Sequence, residues 1–141
     1  MTNTPPLNVT MTAPGPTPWP HFPFNELACH CGCNTMVMSR SFMAMLEELR
    51  LSYGAPITIS SGYRCPKYNN AVSKSGSDGV HTTGLAVDIA IRGRDADKLL
   101  RLAVKMGFGG IGIKQAGASR YLHLDMVPDG EKFPRPIIWT Y

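Results

Sequence analysis

The chain has 141 residues, of which 43% are hydrophobic and 17% charged, with a formal net charge of +4. That length suits one domain able to bury a core without disulfides, and the composition is that of an ordinary soluble globular protein. The mild positive charge favours encounter with an acidic polymer, yet there is no Lys/Arg run or aromatic–basic interleaving to suggest nucleic acid, and no apolar stretch approaches the roughly 18 residues of a membrane span.

Residues 1–20 are rich in Pro and Thr and end in Pro14-Gly15-Pro16-Thr17-Pro18-Trp19-Pro20. Repeated Pro forbids helix and removes backbone donors, so this arm is expected to be PPII-like or mobile, with Trp19, Phe22 and Phe24 pinning its end to a single domain over 21–141. No basic segment followed by an apolar stretch opens the chain, so a secretory signal is not expected, and the cytoplasm is the expected location unless something else releases the protein.

The spacing of Phe42, Met45, Leu46 and Leu49 predicts a helix over 39–52, with Ser39 as N-cap and Gly54 as stop. Pro56 opens a short strand, Ile57–Ser61. Residues 66–80, rich in Ser, Gly and Asn, read as a loop with one helical turn. A strand over 86–91 follows, then a helix from Arg94 or Asp95 that carries Leu99, Leu100, Leu102, Ala103 and Met106. Gly107, Gly109, Gly110 and Gly112 read as a flexible connection around Ile111 and Ile113. Residues 121–126 alternate as a third strand, and Ile137–Tyr141 form a fourth. The fold class is α+β, a small antiparallel sheet with flanking helices.

Two of these strands carry chemistry. In Ala86-Val87-Asp88-Ile89-Ala90-Ile91, period-two alternation puts Val87, Ile89 and Ile91 on a core face, and Asp88 between two alanines on the other. In Tyr121-Leu122-His123-Leu124-Asp125-Met126, the leucines and Met126 face the core while Tyr121, His123 and Asp125 share the opposite face. If the strands are neighbours, Asp88 and His123 converge on the sheet face. His81 lies just before the Asp88 strand, where Gly84 allows the chain to fold back. Two imidazoles and one carboxylate suit Zn2+, and three protein ligands leave a position for water, the arrangement of catalytic sites. Bound zinc polarises a carbonyl and lowers a water's pKa toward about 7.

Ser61-Gly62-Tyr63-Arg64, His81-Thr82-Thr83-Gly84-Leu85-Ala86-Val87-Asp88 and Tyr121-Leu122-His123-Leu124-Asp125 together resemble the M15 peptidases, in particular their D-alanyl-D-alanine carboxypeptidase-like branch with its compact phage and bacterial members. The resemblance spans about residues 21–126. It implies zinc held by His81, Asp88 and His123, cleavage of the stem or cross-link peptide of peptidoglycan, and Arg64 facing the substrate. A guanidinium there could grip a carboxylate or stabilise an oxyanion. The expected protein is a monomeric zinc metallopeptidase without a nucleic-acid partner or membrane insertion, similar to a phage endolysin. A virion-associated or host wall-remodelling peptidase and a catalytically silent zinc-binding module are the alternatives.

Two positions depart from the family pattern. Relatives often carry Ser two residues before the first ligand, where this chain has Gly79, and an acid or His shortly before the last ligand, where residues 109–120 contain neither. Asp125 is therefore either the general base or an acceptor that orients a ligand His, with His21 or His30 as further sources of a base. Cys29, Cys31, Cys33 and Cys65 stand apart from this set. Free thiols, a disulfide involving Cys65 and a structural metal are all open for them, the single-residue spacings being tighter than usual for zinc.

Overall fold

The computed structural model describes residues 6–141. The elements in chain order are β1 (Asn8–Met11), α1 (Phe24–Leu27), β2 (Met36–Ser39), α2 (Arg40–Tyr53), β3 (Thr58–Ser61), α3 (Pro66–Val72), β4 (Ala86–Ala90), α4 (Gly93–Met106), β5 (Gly110–Lys114), β6 (Tyr121–Asp125) and β7 (Ile137–Thr140). Two short 3-10 turns, Gly76–Asp78 and Val80–Thr82, lie between α3 and β4.

The α+β class holds. β1 and β2 form a two-stranded antiparallel sheet, and five strands form a larger one in the order β3-β4-β6-β5-β7. Its first four strands are antiparallel neighbours, and β7 joins β5 in parallel. The aliphatic stripes of β4 and β6, Val87, Ile89, Leu122 and Leu124, are fully buried with Leu46 and Leu49 of α2 and Leu99 of α4. Helix α2 begins where the sequence predicts: the Ser39 Oγ accepts from the Phe42 amide at 3.2 Å, and Gly54 closes the helix in the left-handed conformation.

The structure departs from expectation in three places. Within the Pro-rich arm, Asn8–Met11 is a strand paired with β2, because its four residues contain no Pro and can complete a ladder. Trp19, Phe22 and Phe24 are buried as expected, and residues 1–5 lie outside the described residues. The segment over 66–80 holds a seven-residue helix, started by Pro66 behind an N-cap at Cys65, besides its 3-10 turns. The glycine-rich connection is strand β5, and its glycines serve close packing. A Cβ on Gly110 would collide with the Asp125 carboxylate, and one on Gly112 would come within 2.8 Å of the Trp139 ring.

Candidate metal centre

The site is one row of residues across the large sheet. Ser61 lies opposite Asp88, Asp88 opposite His123, His123 opposite Gly112, and Gly112 beside Trp139. Two residues along, on the same face, Asp125 lies between Ala86 and Gly110, two residues small enough to leave it room. Antiparallel register therefore brings together side chains 35 positions apart in sequence, and the Asp88 Oδ1 lies 3.0 Å from the His123 Nδ1.

His81 arrives from the 3-10 turn Val80–Thr82. Gly84, at φ +75, turns the chain back into β4 where a Cβ would meet the Val37 carbonyl at 2.6 Å. The His81 Nδ1–H donates to the Gly62 carbonyl at 2.9 Å, which leaves Nε2 directed at Asp88 Oδ1, 3.4 Å away. His123 is turned the other way. Its Nε2–H donates to Asp125 Oδ2 at 2.7 Å and its Nδ1 faces Asp88. The two rings meet edge to face with centroids 5.2 Å apart. One donor atom from each of His81, Asp88 and His123 lies within 4.8 Å of the others, and all three side chains are buried.

This group fits a zinc ion. Ligands at about 2.0–2.1 Å in a tetrahedron stand about 3.4 Å from one another, and the separations of 3.0 and 3.4 Å from Asp88 Oδ1 to the two imidazoles are close to that edge. Each imidazole has its outward N–H fixed by an oxygen, which leaves the inward nitrogen free to coordinate. The electrostatics agree. Burial works to raise the Asp88 pKa, but the hydrogen bonds and charges of His123 and His81 outweigh it and hold the carboxyl well below the usual range. Burial works to lower the His123 pKa, but Asp125 and Asp88 outweigh it and raise it, so two carboxylates call for positive charge at this point.

Arg64 joins the group. Its Nη2 is 3.6 Å from Asp88 Oδ2, its Nε–H donates to Ser61 Oγ at 3.0 Å, and its Nη1–H donates to Asn69 Oδ1 at 3.2 Å. Asn69 is fully buried and also donates to Ser75 Oγ, so it ties α3 to the loop before His81. Asp125 is held on both oxygens. The guanidinium of Arg135 donates to Oδ1 from Nε at 2.8 Å and to Oδ2 from Nη2 at 2.9 Å, while Oδ2 also accepts from His123. The Val127 amide donates to Oδ1 at 3.3 Å, and no part of Asp125 is exposed. Burial works to raise its pKa, but His123 and Arg135 outweigh that and lower it.

His21 and His30 are engaged elsewhere, His21 with Glu47 at 2.6 Å and His30 with the Asn25 carbonyl at 3.2 Å. Sequence reasoning missed Arg135, Asn69, Trp139 and Tyr141. Trp139 packs 5.0 Å from His123, and Tyr141 5.2 Å from Tyr121. Period-two alternation in the last strand, which sets Trp139 and Tyr141 on one face, was the available signal; Arg135, between two prolines, carried none. A cavity of about 560 Å³ along β3 and β4, lined by Tyr53, Ile57, Ser60 and Arg120 among others, includes none of the three candidate ligands.

The chain matches the peptidase M15 family over residues 20–125, which is more than half its length, and belongs to that family. The match supports a metallopeptidase in a family that is typically zinc-dependent and acts on peptidoglycan-type substrates. No curated protein and no solved structure gave a match. No helix among the described residues is long and apolar enough to cross a membrane.

Proposed function

We propose that this chain is a zinc peptidase of the D-alanyl-D-alanine carboxypeptidase-like branch, that it hydrolyses the stem or cross-link peptide of bacterial peptidoglycan, and that it serves as a phage endolysin. The observation that carries this reading is the buried convergence of His81 Nε2, Asp88 Oδ1 and His123 Nδ1 within the residues matched to the family. In this reading those three atoms hold the ion. When bound, zinc supplies Lewis-acid polarisation of the scissile carbonyl and a water acidified toward neutral pH.

The chain's own residues do the remaining work. Gly62 and Asp125 fix the tautomers of the two histidines, so each presents a lone pair inward. Ser61 and Asn69 hold the Arg64 guanidinium at the rim, where it can receive a substrate carboxylate or the oxygen that gains charge. Trp139 and Tyr141, the latter largely exposed, form an aromatic wall beside His123 for the body of the peptide. Asp125, sealed from solvent and bonded on both oxygens, orients His123 in preference to exchanging protons with a substrate.

A second reading, a zinc-dependent ligand-binding module without turnover, rests on that same engagement of Asp125, since it takes the nearest carboxylate out of acid–base use. Zymography on purified cell walls separates the two. The zinc-loaded protein should clear the wall and His123→Ala should not, and absence of clearing by the loaded protein would leave the binding module. Mass spectrometry of the released muropeptides then tells an L-Ala–D-Glu bond from one involving D-Ala. Proteomics of purified virions tells a released lysin from a tail component.

A further inference from the structure

Four cysteines that take no part in the His81–Asp88–His123 group meet one residue beyond Arg64. Cys29, Cys31 and Cys33 come from the loop between α1 and β2, and Cys65 is the N-cap of α3. We propose that these four thiolates hold a second metal ion, a structural zinc that clamps the loop to the start of α3.

The spacing of the sulfurs is the main argument. One sulfur from each residue lies within 4.8 Å of the other three. Cys29 and Cys31 are 3.5 Å apart at Sγ, and Cys31 and Cys65 are 3.7 Å apart. Four sulfurs bound to zinc at about 2.3 Å stand about 3.8 Å from one another, the edge of the tetrahedron. A disulfide brings its sulfurs to about 2.05 Å, and all four cysteines here are free.

The tight Cys-x-Cys-x-Cys spacing is reconciled by the backbone. Gly32 and Asn34 both have positive φ, +92 and +56, and the Cys29 amide donates to the Thr35 carbonyl at 2.9 Å. The loop thus curls on itself, and three sulfurs separated by single residues face one point. Backbone donors complete the site: the Cys65 amide donates to Cys29 Sγ at 3.3 Å and the Tyr68 amide to Cys65 Sγ at 3.4 Å, which offsets the negative charge of a four-thiolate set. Soft thiolates in a tetrahedron select zinc over the hard divalent cations.

The location gives the ion its purpose. The Tyr63 amide donates to the Leu27 carbonyl at 2.8 Å, and Gly62 packs so closely on Leu27 that a Cβ would come within 2.7 Å of that carbonyl. The loop after Leu27 and the segment carrying Gly62 and Arg64 are therefore one unit, and the ion would fasten its two segments together. The His81 centre depends on that segment through the Gly62 carbonyl.

Metal analysis tests this independently of the His81 centre. The protein prepared under reducing conditions should carry two zinc ions per chain. The double variant Cys31→Ser/Cys33→Ser, at two exposed positions, should carry one, and so should His123→Ala. Replacing zinc with cobalt should give a thiolate-to-cobalt charge-transfer band that His123→Ala keeps and the cysteine variant loses. In the unaltered protein, titration with p-hydroxymercuribenzoate should release one zinc as four thiols react. Zinc content unmoved by the cysteine changes, iron in place of zinc at the thiols, four thiols that react without releasing metal, or a mass lowered by disulfide formation would each overturn the proposal.

Discussion

Replacing Asp125 with asparagine keeps the size of the side chain and removes the charge that two buried groups share. Asp125 accepts from the Arg135 guanidinium on both oxygens and from His123 Nε2–H on one. An amide has a single oxygen. With that oxygen turned to Arg135, the amide N–H faces the ring, donor against donor, and the imidazole relieves the clash by moving its proton to Nδ1. Nδ1 is the atom directed at Asp88 and the proposed ion, so the ring then presents a proton where a lone pair is needed. Loss of such an outer partner weakens metal binding by about 10–100-fold. The fold suffers as well, because the Arg135 side chain is only 9% exposed and loses its counter-charge. Breaking a buried pair costs about 3–5 kcal/mol, and the retained oxygen places the asparagine variant at about 3 kcal/mol. For a chain of this length that is a fall in Tm of about 10 °C. Zinc affinity measured by competition with a chromogenic chelator, alongside thermal unfolding, reads both effects. Unchanged zinc affinity with turnover reduced by about 10²–10⁴-fold would refute the reasoning and make Asp125 the general base.

Metal analysis of His81→Ala and of His123→Ala should show loss of the ion from this centre with the circular dichroism of the fold retained, whereas full retention of metal in either would remove that residue from the ligand set. Arg64→Ala should keep its metal and lose about ten- to a hundredfold in kcat/KM on muropeptides, the worth of a charge-assisted hydrogen bond of about 1.5–3 kcal/mol; unchanged activity would return Arg64 to a structural partner of Asp88. Arg64→Lys should recover little of that loss, because an ammonium cannot replace the fork that bonds Ser61 and Asn69 together. Leu46→Ala, at a fully buried position of α2, should lower the unfolding free energy by about 2–5 kcal/mol in urea titration while leaving metal content unchanged.

The sequence by itself determined the faces of the chain. Alternation in 86–90 and 121–125 separates Val87, Ile89, Leu122 and Leu124 from Asp88, His123 and Asp125, because strand geometry sends neighbouring side chains to opposite sides. Helix α2, with Ser39 at its start and Gly54 at its end, was legible for an equally local reason, since its caps and periodic stripe lie within one stretch of chain. What depends on contacts between distant segments was decided only by the tertiary structure. Gly110 and Gly112 read locally as flexibility, yet they form a strand because the Asp125 carboxylate and the Trp139 ring fill the space a side chain would need. The engagement of Asp125 was likewise open in sequence, because whether a carboxylate is free or bonded depends on what arrives beside it. Arg135 arrives from ten residues further on, after β6, and occupies both its oxygens. The strand pattern could put His123 and Asp88 on like faces, but only the antiparallel register, with Asp88 opposite His123 and His81 folded over them, turns three separate side chains into one site.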